Sequence, residues 1–300
     1  EFVNRFSSFL PYQHRVLSYA EGRLYPFPIN ADTVNRIFGT GLATWELKDF
    51  LRQQVEKAQV PDVPANFRDA VVSQAGERLY ELFFKNYTRK QWERDPEELS
   101  ADLATRVPIR YSRDDRYFTD TYQGIPLKGY TGLVKNMLDH PGIRLLLNTD
   151  YFDIEGDISA DVTVYTGELD RFFDYKYGEL EYRSLDFAFE TLEIPQYQPA
   201  AVVNYPNDYG WTRITEYKHF SGEQSPKTTI SYEYPKREGE PYYVVLSPDN
   251  LQKRNNYLEE LAALQKKRSI LFIGRLAEYA YFNMDQVIKR VIDCLTHIDV

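Results

Sequence analysis

One cysteine and four histidines are all that 300 residues offer for soft metal ligation. Cys294 has no second thiol to pair with, and one thiol among scattered histidines falls short of a Cys/His zinc set, so no metal is expected. A chain with a single thiol also suits a reducing, cytoplasmic compartment. Long apolar runs are missing as well: nothing approaches the ~18 residues of a membrane span, and the opening EFVNRFSSFL lacks the basic-then-apolar order of a signal peptide. Positive charge is in deficit. Against 45 Asp and Glu stand 36 Lys and Arg, a net charge of −9, which argues against holding nucleic acid by bulk electrostatics and requires any anion site to be local. No Ser/His/Asp order, P-loop or HExxH occurs, and FGTGLAT has Gly39 and Gly41 without a preceding strand or a third glycine. The adjacent carboxylates Asp114–Asp115 and Glu97–Glu98 do not share a face and make a poor acid–base pair.

Aromatic residues are what the chain has in excess: 25 Tyr, 18 Phe and 3 Trp. A phenol combines a flat apolar face with a neutral donor, which suits sugars, nucleotides and phosphates, although strands and interfaces also absorb many tyrosines. Along the chain, PYQHRVLSYAEGRLYPFPI reads as two strands around the turn AEGR, with Tyr19 facing Leu24. From Asn30 the period becomes helical. Asn30 or Asp32 can cap the first helix, and TWELKDFLRQQVEKA carries Trp45, Leu47, Phe50, Leu51 and Val55 on an expected common face. Further on, GIRLLLN predicts a strand at Ile143 to Leu147, and ADVTVYTG predicts another that ends on Thr166–Gly167. Alternation over Tyr177 to Tyr243 predicts an antiparallel sheet, and ILFIGRLAEYAYFNMDQVIKRVIDCL predicts a buried strand, a Gly-Arg turn and a helix from about Met284.

Three stretches carry candidate chemistry. FFKNYTRKQW crowds aromatics and bases at a helix end; it is a stacking platform or a helix packing into core. ATRVPIRYSRDDRYFTDTYQG supplies Arg106, Arg110, Arg113 and Arg116, whose forks bind phosphate oxygens or pair with Asp114, Asp115 and Asp120. In TRITEYKHF, strict alternation puts Arg213, Thr215, Tyr217 and His219 on one face. An arginine on the inner face of a sheet needs an anion; on the outer face it needs none.

Together, RVLSYAEGRLYPFPIN, FFKNYTRKQW, RVPIRYSRDDRYFTDTYQGIP, YRSLDF, VNYPNDYGWTRITEYKHF, EYPKREGEPYY and GRLAEYAYFNMDQVI closely resemble the UDP-galactopyranose mutase family, collinearly along nearly the whole chain. The resemblance implies a mixed α/β fold: part of a Rossmann-like FAD-binding domain with a helical subdomain and an antiparallel β-sheet subdomain. The expected boundaries are 30–126 for the helical part, 11–29 and 176–248 for the sheet, and 127–175 and 249–300 for the FAD domain. It implies an isomerase that interconverts UDP-galactopyranose and UDP-galactofuranose through a flavin N5–sugar adduct, with no net redox change, for galactofuranose-containing cell-surface glycans. Reduced FAD is the implied cofactor, UDP-galactose and UDP-galactofuranose the ligands, and a homodimer the implied assembly, without nucleic acid or membrane insertion.

Carried over by position, the resemblance makes Arg106 and Arg213 the catalytic clamp on the diphosphate. Phe83, Phe84, Tyr87, Thr88, Trp92, Tyr117, Asn204, Tyr243 and Tyr281 would complete the substrate site. Thr166, Gly167, Gly274, Arg275, Asn283 and Met284 would meet the flavin, Asn283 standing where many relatives carry Asp. The family's opening GxGxxG unit and its histidine loop have no counterpart in this sequence, which also opens without Met. The expectation on that ground is an N-terminally truncated chain, poor in FAD binding and inactive. A non-catalytic sugar-nucleotide-binding module and a related flavin-dependent oxidoreductase are the competing readings.

Overall fold

The computed structural model describes residues 1–106 and 108–295, with the side chains of Thr105 and Arg106 outside that description. The chain forms two compact units. The first comprises Glu1–Glu97, Ala101–Thr149 and Asp186–Pro235, and the second Glu98–Ser100, Asp150–Leu185 and Lys236–Val300.

The expected hairpin opens the sheet of the first unit. Val16–Ala20 and Arg23–Phe27 pair antiparallel with Tyr19 opposite Leu24. Glu21 and Gly22 take φ of 48° and 76°, the two positive values that let a two-residue turn match the right-handed twist of its strands. Val202–Asn204 joins Val16–Ala20 in parallel, and Arg213–Glu216 and then Thr228–Lys236 continue antiparallel. The 186–192 end of Tyr182–Leu192 lies next in order. One parallel pairing therefore interrupts the otherwise alternating sheet expected from the sequence.

Helices follow the hairpin at Ala31–Phe38, Thr44–Ala58 and Phe67–Ala75. Asn30 is the cap of the first: its side-chain oxygen accepts from the Thr33 amide at 3.0 Å in a fully buried position. Replacing it with Ala leaves that amide unsatisfied, so Asn30→Ala is expected to cost about 1 kcal/mol in a urea titration. Leu47 and Leu51 form the buried face of Thr44–Ala58, but Trp45 is 80% exposed. Positions two apart on a helix point to nearly opposite sides, so the apolar face expected from the sequence splits into a core side and a solvent side.

Two further expectations change. Ile143 to Leu147 forms no strand; its Ile and Leu side chains are exposed, because among the described residues no strand lies beside it to complete a ladder. The strand at Arg213 ends at Glu216 and turns into a short helix, Lys218–Ser221. His219 consequently leaves the Arg213 face and bonds to the Glu216 carboxylate at 3.1 Å.

In the second unit Thr163–Tyr165 and Ile270–Phe272 run parallel in register, Tyr165 beside Phe272. Their core is aromatic. Phe172 meets both Tyr165 and Phe272 edge-on at 4.9 and 4.8 Å, and Tyr257 from the helix Pro248–Gln265 stacks on Phe173. The helix Met284–Leu295 begins at the residue expected from the sequence.

Candidate functional site

The sheet register of the first unit lines up one row of side chains. Tyr25 lies opposite Ser18, Ser18 beside Asn204, Asn204 opposite Arg213, and Arg213 opposite Glu233. Residues directly across a ladder share a face, so all five project to one side. The helical run Glu77–Trp92 covers that side. Phe83 meets Tyr25 at 5.7 Å and Phe84 meets Phe27 at 5.9 Å, both phenylalanines being buried.

A π-helical turn at Glu81–Lys85 sits in the middle of this run, between Glu77–Tyr80 and Asn86–Trp92. One extra residue in that turn rotates everything after it relative to a regular helix. The period-based choice between platform and core is thereby divided. Phe83, Phe84, Thr88 and Trp92 are buried, while Tyr87 is partly buried over the sheet.

Arg213 is on the covered face, and its anion is internal. Its Nε lies 3.2 Å from the Glu233 carboxylate, and Nη2 donates to the Tyr87 hydroxyl at 2.6 Å. Burial pushes the Tyr87 phenol up to about 12 against the opposing charge of Arg213, so Tyr87 is a neutral hydroxyl at pH 7. Glu233 was not expected from the sequence. Its position in the alternating TTISYEYPK was legible, but its register against Arg213 was not.

Beside this row stands an aromatic wall. The Tyr117 amide donates to the His14 carbonyl at 2.6 Å, and the His14 ring contacts Tyr117, Phe118 and Phe220. Nδ1 of His14 is 3.0 Å from the Tyr12 hydroxyl. Burial, with the Arg213 charge adding to it, pulls His14 down to about 4, leaving a neutral imidazole. The side chain of Arg106, the other expected clamp residue, lies outside the described residues.

The remaining candidates fall in the second unit. Tyr243 and Tyr281 stack at 5.8 Å, with the Arg275 guanidinium 5.7 and 4.5 Å from their rings. Thr166–Gly167 and Gly274 follow the carboxyl ends of the two parallel strands. A side chain at Gly167 would collide with the Tyr165 phenol at 2.5 Å, so Tyr165 itself requires glycine there. Gly274, with φ +110°, has open space where a Cβ would stand. Asn283 precedes Met284–Leu295, and its amide donates to the Gln286 side chain at 2.7 Å, one half of a capping box. Among the described residues no helix is long and apolar enough to cross a membrane, and no His/Cys/Asp/Glu group could hold a metal.

Compared with known proteins, residues 82–281 match the family model for UDP-galactopyranose mutase, a span that includes Phe83, Tyr87, Arg213, Glu233 and Tyr281. The chain belongs to the UDP-galactopyranose mutase family. It is 35% identical over 98% of its length to dTDP-fucopyranose mutase of Escherichia coli, covering 79% of that protein. It is likewise 35% identical over 97% of its length to a probable UDP-galactopyranose mutase of Klebsiella pneumoniae, covering 75% of it. A crystal structure of reduced UDP-galactopyranose mutase shares the fold, with a TM-score of 0.73 over 99% of this chain and 82% of that one at 15% identity. Membership makes this chain a mutase, an isomerase of a flavin-using family.

Proposed function

We propose that this chain binds UDP-galactopyranose and UDP-galactofuranose and interconverts them with reduced FAD, in the cytoplasm, for galactofuranose-containing glycans. The observation that carries the reading is the Arg213 fork, held between Tyr87 and Glu233 on the covered face of the sheet in a chain with this family identity. A planar fork on a fixed strand suits a diphosphate, and its charge stabilises UDP as the leaving group while the anomeric bond breaks. Arg106 is its proposed second arm. Tyr87, flanked by the packed Phe83 and Phe84, offers a ring to the uracil, with Thr88, Trp92, Tyr117 and Asn204 around it.

The residues of the second unit fit a flavin. Gly274 leaves open space where a Cβ would stand, just after the carboxyl end of a parallel strand, where dinucleotides sit in open α/β sheets, and its amide donates to the Glu278 carboxylate at 3.0 Å. Thr166, Gly167, Gly274, Arg275, Asn283 and Met284 are the proposed FAD contacts. When bound, reduced FAD supplies the nucleophile for the anomeric carbon. The protein's own part is to orient the sugar, hold the diphosphate and exclude water. A homodimer belongs to the same reading, supported by Trp45 exposed on the helix Thr44–Ala58.

A second substrate is favoured by one observation: the relative that acts on dTDP-fucopyranose is as similar to this chain as the UDP-galactopyranose relative. The deciding experiment incubates the chain with FAD and dithionite and separates the products by chromatography, using UDP-galactofuranose and dTDP-fucofuranose in parallel. Conversion of the uridine substrate at the higher kcat/KM is expected. A preference for the thymidine substrate transfers the assignment to it; turnover of neither is the inactivity expected from the missing GxGxxG unit, and UDP binding by calorimetry then tests the site.

A further inference from the structure

Lys90 lies on Asn86–Trp92, one turn beyond Tyr87 on neighbouring positions of the same helix. Its ammonium donates to three main-chain carbonyls of the connection between Val202–Asn204 and Arg213–Glu216: those of Tyr205, Tyr209 at 3.0 Å and Trp211 at 3.0 Å. An ammonium has three donors and no acceptor, so these carbonyls use all of its capacity. A neutral amine would keep two N–H groups and turn a lone pair toward the third oxygen. The same loop is tied to the helical run a second time. Asn207 donates to the Leu82 carbonyl at 3.0 Å and accepts from the Asn86 amide group at 2.9 Å. At the loop base the Tyr205 amide donates to Thr212, the residue before Arg213, at 2.8 Å.

We propose that Lys90 is the positioning residue of the nucleotide site: its ammonium, by filling three carbonyls, holds the 205–211 loop in the form that keeps Arg213 set against Tyr87. The proposal rests on the reading of Arg213 as a diphosphate ligand. Lys90 acts through the loop and not by contact with the diphosphate. Around its amine stand the Tyr205, Tyr209 and Trp211 rings and, as the one carboxylate acting on it, Asp208. Tyr19 closes the same aromatic group against Tyr205 and Tyr209. Burial lowers the amine to about 8, with Asp208 opposing the shift.

The sign of that shift separates positioning from simple support. Between about 8 and the usual lysine value near ~10.4, the unfolded chain binds more protons than the folded one, so this group's contribution to stability rises with pH. The carbonyl cage, in contrast, needs the proton. Ligand affinity is therefore expected to fall over a range in which this group does not lower stability.

The test measures UDP affinity by calorimetry from about pH 7 to about pH 8.7, where the diphosphate is ionised and the uracil N3–H still holds its proton, for the wild type, Lys90→Met and Asp208→Asn. Wild-type affinity should weaken about tenfold with a midpoint near 8, and Lys90→Met should be weak and flat throughout. Asp208→Asn should move the midpoint to lower pH, because it removes the charge that favours the ammonium. Lys90→Met binding UDP as tightly as the wild type, or a wild type without the alkaline limb, overturns the proposal; the second holds even if Lys90→Met fails to fold. Hydrogen exchange of the 205–211 amides at one pH is the ligand-free arm. Faster exchange in Lys90→Met supports the cage and unchanged exchange overturns it. If the wild type binds no UDP, the functional reading of the site falls, and the exchange arm alone decides whether Lys90 holds the loop.

Discussion

Arg213→Ala is expected to weaken UDP binding about 100-fold, roughly 3 kcal/mol, and to reduce turnover at least as much. Internal partners of Arg213 include Glu233 at 3.2 Å and the Tyr87 hydroxyl at 2.6 Å, with its side chain still 29% exposed. That exposure lets a ligand reach the guanidinium while the two partners fix its plane. Truncation removes the proposed counter-charge of the diphosphate and takes away the guanidinium 3.2 Å from the Glu233 carboxylate, a residue only 7% exposed. Arg213→Lys keeps the charge but loses the fork, so an intermediate loss of about tenfold is expected. Glu233→Gln should act in the opposite direction, tightening UDP by about threefold, because it removes a negative charge beside an anion site. Isothermal titration of the three variants reads all of this. Equal affinities for Arg213→Ala and the wild type would sink the clamp assignment.

The largest expected effect on stability lies elsewhere, at Glu216. Its side chain is fully buried, yet each carboxylate oxygen is engaged. The Tyr197 and Gln198 amides donate at 2.9 Å each, the Thr228 hydroxyl at 2.6 Å, and His219 stands at 3.1 Å. Glu216→Ala strands all of these donors in the interior, and a loss of about 3 kcal/mol or more is expected in urea unfolding. The pH dependence follows from the same contacts. Burial opposes ionisation, but the Thr228 and backbone bonds outweigh it and hold the carboxyl below the usual glutamate range. A depressed carboxyl stabilises the fold above its unfolded pKa, and that contribution is lost as pH falls through the folded value. Acid unfolding should therefore shift to higher pH in Glu216→Gln, which keeps the shape but cannot carry the charge. A variant whose acid midpoint and urea midpoint both match the wild type would show that this network carries no net stability.

Much of the local structure was legible in the order of residues. Positive φ at a Glu-Gly pair, an Asn cap with its helix, and a strand-glycine-helix succession at the end are properties of neighbouring residues and short-range hydrogen bonds, so periodicity and turn chemistry sufficed to place them. Family membership was legible too, because the collinear stretches FFKNYTRKQW to GRLAEYAYFNMDQVI are themselves sequence. Non-local pairing was not. Nothing in TRITEYKHF says that the strand stops at Glu216, or that Val202–Asn204 inserts between hairpin and strand to put Asn204 and Arg213 in one row with Glu233. Strand pairing joins segments far apart in the chain, and a one-residue slip would have turned Arg213 to the opposite face.

By itself the sequence determined what kinds of groups were available: no metal set, little positive charge to spare, abundant neutral phenols and a few arginines. Only the tertiary structure decided which arginine faces the helix, which carboxylate answers it, and that Lys90 is spent on main-chain carbonyls rather than on solvent. The physical reason is that charge and hydrogen-bonding capacity belong to a residue, whereas burial, register and the π-turn that aims Tyr87 at the sheet belong to the packed chain.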